Sequence, residues 1–425
     1  MEKELKNIPE LRFPEFKDSR EWEYIELSKK GQALNGLQGK SSIDFGRGSP
    51  FVTYMQVYSR PTINIQECAL VNIKQGEKQN KLEYGDVLIT TSSESAEEIG
   101  FVSIVEEQEL GEIYLNSFCF IYRFNDKNFA FPKFCRYIFH TSNYRNQITA
   151  LAQGITRYNI SQKQFVKLKL SFPILAEQKK IADCLSSLDN YINATQEKIE
   201  ILQAHKKGLI QQLLPALGKT MPQKRLPKFG KSKKWSPYSM EEMFKIRNGY
   251  TPSKSNPKFW EDGTIPWFRM EDIREHGHIL SDSIQHITKE AVKGKGLFPA
   301  NSIIVATTAT IGEHALIIVD SLANQQFTFL TKRKSFDTQI DMKYFYYYMY
   351  IIDEWCKQHT NAGGFASVDM NGFKRLSVSL PSPEEQKEIA ECFASIDDLI
   401  DSTKQKLVML QNHKRGLMQQ LFPII

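Results

Sequence analysis

One long helix-forming segment occurs twice in the chain, and this duplication constrains the fold more than any other feature. When the sequence is shifted by 208 positions (413 − 205), residues 173–215 lie on residues 381–423 without a gap, and about half of the positions are identical. The copies end in nearly the same phrase, HKKGLIQQLLP at His205–Pro215 and HKRGLMQQLFP at His413–Pro423. Such agreement over so long a stretch indicates an internal duplication rather than chance.

Apolar residues in both copies recur at alternating steps of four and three residues, which is a heptad pattern. This period of 3.5 continues for more than four heptads and therefore predicts a long coiled-coil helix in each copy. Thr195 and Lys206 interrupt the first seam, and Thr403 and Lys414 interrupt the second at the same places. Polar seam residues fix register or partner at some cost in stability. The apolar seam residues are Ile181, Leu185, Leu188, Ile192, Ile199, Leu202, Leu209 and Leu213 in the first copy and Ile389, Phe393, Ile396, Ile400, Leu407, Leu410, Leu417 and Leu421 in the second.

The ends of the two helices carry different start signals and the same stop signal. SPEE in the second copy predicts a capping box, in which Ser382 is the N-cap and Glu385 reaches back to it. Ile174 replaces that serine in the first copy, and a proline ends both phrases. Two matching helices most simply pair with each other, and antiparallel pairing would give pseudo-two-fold symmetry. The alternative is that each helix caps its own domain.

A divergent segment precedes each helix. RFPEF at Arg12–Phe16 matches RLPKF at Arg225–Phe229, and Asn35-Gly36 matches Asn248-Gly249, both at an offset of 213. Short strand-like runs, an aromatic helical segment, a glycine turn and a final strand follow in each unit, which predicts an α/β (mixed α+β) domain twice. The predicted parts are a first domain at 1–172, a helix at 173–217, a second domain at 218–380 that begins with a basic linker at 218–235, and a helix at 381–425.

Composition excludes several classes of protein. The six cysteines are scattered without CxxC spacing, which is typical of reduced thiols rather than of a disulfide framework or zinc site. No apolar run is long enough to span a bilayer, and the charged N-terminus lacks the apolar core of a signal peptide, so we expect a cytoplasmic protein. The net charge of +6 permits a polyanionic partner without requiring one.

No motif in the sequence predicts catalysis or metal binding. GLQGKSS at Gly36–Ser42 resembles a phosphate-binding loop, but Leu34 stands where that loop needs a glycine. NPKF at Asn256–Phe259 lacks the second proline of the amino-methyltransferase signature. His276 and His278 form an HxH pair without further ligands at metal-binding spacing, so we interpret them as loop histidines.

The arrangement resembles the specificity subunit of type I restriction–modification systems. The resemblance covers almost the whole chain. It is carried by EQKxIA at the start of each helix (Glu177–Ala182 and Glu385–Ala390), by the closing phrases, and by NGYTPSKSNPKFWEDGTIPWFRMEDI at Asn248–Ile273. It implies that each variable domain is a target recognition domain that reads one half of a split DNA sequence, while the paired helices set the unread spacer.

The resemblance also implies partners and cofactors. Two modification subunits, which hold S-adenosylmethionine and methylate adenine, would dock on the chain, and restriction subunits that use ATP, with Mg²⁺, would join that core. The chain itself would be non-catalytic and would bind no cofactor. Since the two variable domains differ, the two half-sites should differ and the double-stranded DNA target should be asymmetric.

Candidate DNA contacts are polar and aromatic residues in loops at matched places of the two domains. Arg157 and Arg269 could bind guanine, and Asn159 or Gln56 could bind adenine. An alternative for Tyr54 and Trp267 is that they are core aromatics at strand starts. The candidates are Tyr54, Gln56, Thr91, Ser92, Thr156, Arg157, Tyr158 and Asn159 in the first domain and Thr251, Lys254, Trp267, Arg269, Thr308 and Phe365 (with Gly363 and Gly364) in the second.

Three other functions remain open from the sequence. The chain could be a DNA-recognition subunit of another restriction class, or a stand-alone DNA-binding regulator. A coiled-coil scaffold that binds no DNA is also possible, although a scaffold would not need two divergent, aromatic-rich domains with basic loops.

Overall fold

The computed structural model describes residues 7–154, 157–230, 233–294, 296–361 and 366–424. The chain forms two compact units. Unit 1 comprises residues 1–196 and 405–425, and unit 2 comprises residues 197–404. Each unit therefore contains one predicted recognition domain, the beginning of the long helix that follows that domain, and the end of the other long helix.

The long helices follow the predicted bounds closely, and the remaining elements of unit 1 precede the first of them. The first long helix is α5, Leu175–Leu213. The other elements of unit 1, in chain order, are β1 (Glu23–Glu26), β2 (Gly31–Asn35), β3 (Phe45–Val52), α1 (Tyr54–Ser59), β4 (Ala69–Val71), β5 (Val87–Thr90), β6 (Ser92–Ser93), β7 (Val102–Ile104), β8 (Tyr114–Leu115), β9 (Cys119–Phe124), α2 (Pro132–Ile138), α3 (Ser142–Ala150), β10 (Tyr158–Asn159), α4 (Gln162–Phe165) and β11 (Lys169–Phe172).

A four-stranded antiparallel sheet in the order β2-β9-β5-β7 forms the centre of unit 1. Val87 and Ile89 face the core formed with α2 and α3, whereas Leu88 faces a second core beside β3 and α1. Successive side chains of a strand point to opposite faces, so a strand covered on both sides is apolar throughout. This explains the unbroken apolar run that predicted β5. A three-stranded sheet (β4-β3-β8) and the pairs β1-β11 and β6-β10 complete the unit.

Unit 2 repeats this plan with additional strands. Its central sheet has the order β13-β20-β17-β18-β15, and a three-stranded sheet (β16-β14-β19) and the pairs β12-β23 and β21-β22 accompany it. The elements are β12 (Ser236–Ser239), α6 (Met240–Met243), β13 (Phe244–Asn248), β14 (Ile265–Phe268), α7 (Met270–His276), β15 (Ile279–Leu280), β16 (His286–Ile287), β17 (Ser302–Ala306), β18 (His314–Ile317), β19 (Leu322–Ala323), β20 (Phe327–Lys332), α8 (Met342–Gln358), β21 (Thr360–Asn361), β22 (Ser367–Val368), α9 (Met370–Arg375), β23 (Ser377–Leu380) and the second long helix α10 (Pro383–Gln420).

Every predicted apolar seam residue is buried or half-buried. Within unit 1, Lys414 of α10 lies 2.5 Å from Asp189 of α5, and Lys406 lies over the ring of Tyr191. The residue number rises along α5 as it falls along α10, so the two segments run antiparallel. Unit 2 repeats the same contact, since Lys206 lies 2.6 Å from Asp397. The polar seam lysines are therefore paired across the helices.

An arginine–glutamate ion pair, whose side chains are at most 10% exposed, stabilises the start of each long helix. Arg12 donates to both carboxylate oxygens of Glu177, at 2.8 and 2.7 Å, and Arg225 does the same with Glu385, at 2.7 and 2.6 Å. This corrects the predicted capping box. Ser382 does accept from the backbone N–H of Glu385 at 3.4 Å, but the Glu385 carboxylate binds arginine instead of reaching back to the cap.

The basic linker is partly engaged by the same helix start. Lys228, like Arg225, pairs with acidic residues of the first turns of α10, with its ammonium 2.8 Å from Glu384. These two cations are therefore neutralised within unit 2. Among the described residues, no helix combines the length and apolarity that crossing a membrane requires.

Candidate nucleic-acid interface

Unit 1 brings several predicted contact residues together. The strand pair β6-β10 sets Tyr158 opposite Ser93 and Asn159 opposite Ser92, so the segment after residue 156 joins the segment after β5. Arg157 donates to the Ser92 hydroxyl at 3.1 Å, and the Tyr54 hydroxyl donates to the Ser92 carbonyl at 2.7 Å. These contacts form one polar surface from residues that are more than a hundred positions apart.

An open cleft of about 670 Å³ lies at this surface. Its lining includes Tyr54, Ser92 and Arg157 together with the carboxylates of Glu94 and Glu98. Partial burial raises the pKa of Tyr54, so its phenol stays protonated near neutral pH and can donate. The cleft therefore presents a cation, two anions and hydroxyl groups, a mixture that suits hydrogen bonding to base edges better than it suits a phosphate.

Other predicted residues of unit 1 are placed differently. Thr91 lies beside the cleft, where its hydroxyl donates to the Phe118 carbonyl at 2.8 Å. Asn159 is exposed and donates to the Arg157 carbonyl at 3.2 Å. Gln56 is 5% exposed, and its amide is used within the fold by Glu67 O and Asn64 N–H. We therefore leave Gln56 out of the proposed contact surface. Thr156 lies outside the described residues.

Unit 2 groups fewer of its predicted residues. The Thr251 hydroxyl donates to the Gln325 side-chain oxygen at 2.5 Å. Thr308 is half-buried and forms a β-bridge with Ser367. Arg269 stacks over the Trp267 ring, with 5.8 Å between the guanidinium carbon and the ring centroid. Its Nε has no hydrogen-bond acceptor among the described residues.

The remaining predicted residues of unit 2 do not extend this group. Trp267 is 1% exposed, and its indole N–H donates to the Tyr250 carbonyl at 3.1 Å. Of the two interpretations, the core aromatic is the one that its position supports, and we leave it out of the proposed surface. Tyr54, in contrast, lines the cleft of unit 1. Lys254 is exposed on the loop between β13 and β14. Phe365, with Gly363 and Gly364, lies outside the described residues.

Sequence reasoning missed two turns at the centre of these groups. Asn116–Phe118 joins β8 to β9 in unit 1, and Asn324–Gln326 joins β19 to β20 in unit 2. Phe118 is 53% exposed, which is unusual for so large an apolar side chain, and Gln325 is also exposed. Asn116 and Asn324 match at the offset of 208, and each stands shortly before a predicted strand. This match is the sequence signal from which the two turns could have been found.

The side chains that could suggest nucleotide or metal binding either bond to other parts of the fold or lack neighbouring ligands. Lys40, in the sequence that resembles a phosphate-binding loop, donates to the Asn72 carbonyl and to Glu77, both at 2.6 Å. The ring Nδ1 of His278 lies 2.9 Å from the His314 carbonyl. No cluster of three or more His, Cys, Asp or Glu side chains that could hold a metal ion occurs in the described part of the chain.

Comparison with known protein families gives one match that covers most of the chain. The model of the family described as "Type I restriction modification DNA specificity domain" matches twice, at residues 22–203 and 232–412. Each match contains one divergent domain and most of the long helix that follows it. The family match therefore repeats with the internal duplication.

Individual relatives agree with this match. The EcoprrI type I specificity subunit of Escherichia coli is 48% identical over 167 residues, which cover 39% of this chain and 41% of that protein. A putative MjaX type I specificity subunit of Methanocaldococcus jannaschii is 25% identical over 408 residues, 94% of this chain and 92% of that protein. The crystal structure of a type I S subunit from M. genitalium shares the fold, with a TM-score of 0.53 at 14% identity over 98% of this chain and 100% of that one.

Proposed function

We propose a function from the premise that this chain belongs to the family of type I restriction–modification DNA specificity domains. The chain is a DNA sequence-specificity subunit, and the family to which it belongs is non-catalytic. It directs a methyltransferase and endonuclease complex to its target in double-stranded DNA, and it works in the cytoplasm, where the host DNA lies. The single observation that carries this proposal is the double family match, one copy for each divergent domain.

Each domain reads one half of a split target in this proposal. The two domains share a framework but carry different side chains at their polar surfaces, such as Arg157 with Glu94 in unit 1 and Gln325 with Thr251 in unit 2. Different donor and acceptor patterns select different bases. The target is therefore bipartite and asymmetric, and the long helices α5 and α10 set the length of the unread spacer.

Exposed apolar residues on the long helices support docking of two copies of one partner. Tyr191 and Met409 are 46% and 64% exposed in unit 1, and Leu399 and Ile201 are 42% and 67% exposed in unit 2. Tyr191 corresponds to Leu399, and Ile201 corresponds to Met409, at the offset of 208. Exposed apolar residues at equivalent positions suit equivalent partners. We assign them to two modification subunits, with restriction subunits joining that core.

The chemistry of modification and cleavage belongs to those partners in this proposal. S-adenosylmethionine, ATP and Mg²⁺ are bound by the modification and restriction subunits, and this chain binds no cofactor of its own. The role of its residues is to place the partners on a chosen DNA sequence.

The test is a methylation map. The full chain is co-expressed with its cognate modification subunit in a host without other adenine methylation, and the genome is read by long-read sequencing. We expect one motif with two unlike half-sites separated by a fixed number of unread bases. A contiguous or palindromic motif, or no methylation, would contradict the proposal.

A second experiment tests the role of the helices. Seven residues are inserted at the middle of α5 and seven at the matching position of α10, so that both heptad seams stay in register. At about 1.5 Å per residue the insertion adds about 10 Å, which corresponds to about three base pairs at 3.4 Å each. The spacer should lengthen by that amount while both half-sites stay the same. Altered half-sites with an unchanged spacer would contradict this assignment.

A further inference from the structure

The two missed turns have the same internal construction in both units. The Asn116 side-chain oxygen accepts from the Phe118 backbone N–H at 2.8 Å, and the Asn324 side-chain oxygen accepts from the Gln326 backbone N–H at 3.0 Å. An asparagine that bonds to the backbone two residues later fixes a tight turn. The turn is thus part of the duplicated framework. The exposed residues at its tip differ, since they are Phe118 in unit 1 and Gln325 in unit 2.

Each turn is tied by backbone hydrogen bonds to two segments that carry predicted DNA contacts. In unit 1, Asn116 N–H donates to Val52 O at 3.0 Å and Thr91 N–H donates to Phe118 O at 3.0 Å. Val52 lies two residues before Tyr54. The turn therefore sits at the centre of the polar surface that holds Tyr54, Thr91 and Arg157.

The same two ties occur in unit 2. Asn324 N–H donates to Phe268 O at 3.0 Å, and Thr307 N–H donates to Gln326 O at 2.9 Å. Phe268 precedes Arg269, and Thr307 precedes Thr308. The second turn therefore holds the segments that carry both of these candidates.

A matched glycine lies under each turn. A Cβ on Gly36 would lie 2.2 Å from the Asn116 carbonyl oxygen, and a Cβ on Gly249 would lie 2.3 Å from the Ala323 carbonyl oxygen. Both distances are too short for any side chain, so glycine is required for the backbone to approach so closely. The repeated Asn-Gly pairs of the sequence thus have a structural reason, which is to support the turns.

The tips of the turns differ in chemistry. Phe118 is exposed beneath the guanidinium of Arg157, with 5.6 Å between the guanidinium carbon and the ring centroid. In the other turn Gln326 matches Phe118, and the exposed residue is Gln325, one position earlier. The Gln325 side-chain oxygen accepts from Thr251, and its amide N–H₂ has no acceptor among the described residues. The turn of unit 1 therefore offers a guanidinium over an aromatic ring, and the turn of unit 2 offers an amide whose N–H₂ group has no acceptor among the described residues.

The neighbouring charges distinguish the two tips further. Glu94 and Glu98 line the cleft beside Arg157, and a carboxylate repels phosphate but accepts from the amino group of cytosine. An arginine donates two bonds to the edge of guanine, so the unit 1 tip complements a G·C pair. A glutamine amide both donates to and accepts from adenine, so the unit 2 tip complements an A·T pair.

We propose that the turns Asn116–Phe118 and Asn324–Gln326 are the specificity-determining elements of the two domains, the first reading a G·C pair through Arg157 and Phe118 and the second reading an A·T pair through Gln325. This inference rests on the proposed function, because it names the base-reading residues of a target that the two units share between them.

The experiment compares methylation by the complete complex of this chain and its modification subunits. Single-turnover rates are measured on duplexes that carry each of the four base pairs at every position of both half-sites. Gln325→Leu should lower the preference for one A·T pair by about tenfold to a hundredfold in one half-site. Arg157→Ala should lower the preference for one G·C pair by a similar factor in the other half-site. The spacer should stay the same in both variants.

Two further variants control for indirect effects. Gln358→Leu makes the same replacement at an exposed glutamine at the end of α8 and should leave every preference unchanged. Gln325→Glu keeps the side-chain size but removes the amide donor, and it should shift the preference at the same position from A·T toward a pair that presents the cytosine amino group. Melting curves of each variant verify folding, and the Gln325→Glu result stands if Gln325→Leu fails to fold.

The outcomes separate the inference from the proposed function. If Gln325→Leu and Gln325→Glu keep the wild-type preferences, or if Gln358→Leu alters them equally, the turns do not read the bases and the inference is overturned. If the wild-type complex methylates no bipartite site, the proposed function itself is overturned, and the inference with it.

Discussion

Breaking the ion pair between Arg12 and Glu177 should strongly destabilise unit 1, and Glu177→Gln tests this. The side chains of the two residues are only 6% and 1% exposed. Arg12 also donates to the carbonyls of Ser19 and Arg20, and the Trp22 indole donates to Glu177 at 3.2 Å. The pair therefore joins the N-terminal segment, β1 and the start of α5.

The expected cost follows from what the substitution leaves behind. A glutamine amide has one acceptor oxygen, so one of the two guanidinium contacts is lost and a buried positive charge stays without its counter-charge. Removing one partner of a buried pair costs about 3–5 kcal/mol. Because the glutamine side-chain oxygen can keep one of the two bonds, we expect Glu177→Gln to cost about 3 kcal/mol, the lower end of this range. This cost corresponds to a fall of about 6–12 °C in the melting midpoint.

The measurement needs a probe that belongs to one unit. Trp22 is the tryptophan of unit 1, and Trp235, Trp260, Trp267 and Trp355 belong to unit 2. With 5-fluorotryptophan incorporated, the ¹⁹F resonance of residue 22 reports unfolding of unit 1 during heating or urea titration. Glu177→Gln should lower the midpoint of that resonance first, whereas Glu385→Gln should act first on the resonances of unit 2.

The matched control is the exposed ion pair between Lys180 and Glu15, whose side chains are 50% and 46% exposed. Solvent screens such a pair, so Glu15→Gln should leave the midpoint unchanged within error. The reasoning is refuted if Glu15→Gln and Glu177→Gln lower the unfolding midpoint reported by the Trp22 resonance by the same amount. Burial would then not determine how much the loss of an ion pair destabilises the unit.

Three further predictions concern acid stability, the turns and partner docking. Lys40 and Gln79 lower the pKa of Glu77 to about 2, so the stability that Glu77 contributes is complete above its ordinary pKa of 4.5 and is lost as the pH falls toward 2. Glu77→Gln should therefore reduce the fall in melting midpoint between about pH 5 and pH 2.5, measured by calorimetry. Gly249→Ala should displace the Ala323 backbone and weaken recognition of one half-site at least tenfold in duplex methylation assays, whereas Gly208→Ala, where a Cβ meets nothing within 4 Å, should not. Ile201→Lys should reduce binding of one modification subunit at least tenfold in mass photometry or calorimetry, because it replaces an exposed apolar side chain with a charge.

The helices were predictable because their pattern is local and repeated. A period of 3.5 depends only on neighbouring residues, and the second copy gave an independent reading of the same pattern. The central strands β5 and β17 were also predictable from unbroken apolar runs. The aromatic helical segment predicted for the first domain is, in contrast, two helices, α2 and α3, because the Thr141 hydroxyl accepts from the Tyr144 N–H and starts a new one.

The ion pairs and the contact surface depend on distant residues, which the sequence pattern does not reveal. Glu385 stands three residues after Ser382, which is the spacing of a capping box, yet Arg225, 160 positions away, binds its carboxylate. Gln56 is predicted from the sequence to be a loop residue that contacts DNA, yet the fold uses both ends of its amide. Phe118 reads as the first residue of a strand, yet it lies at the tip of a turn. For Glu385 the deciding partner is 160 positions away in the sequence, and for Gln56 and Phe118 it lies on a neighbouring segment or turn that the pattern does not reveal.

The duplicated contacts suggest how such a chain can change its target without losing its fold. The contacts that repeat between the units are the buried arginine–glutamate pairs, the lysine–aspartate pairs across the helices, and the asparagine turns over glycine. The arginine–glutamate pairs and the turns lie on largely buried side chains and on backbone, whereas the lysine–aspartate pairs are half-buried. The tip residues Phe118 and Gln325 project from that framework and are exposed, where substitutions cost little stability. A change at a tip can therefore alter which base is preferred while the framework stays intact, and a change at a supporting glycine should impair recognition and stability together.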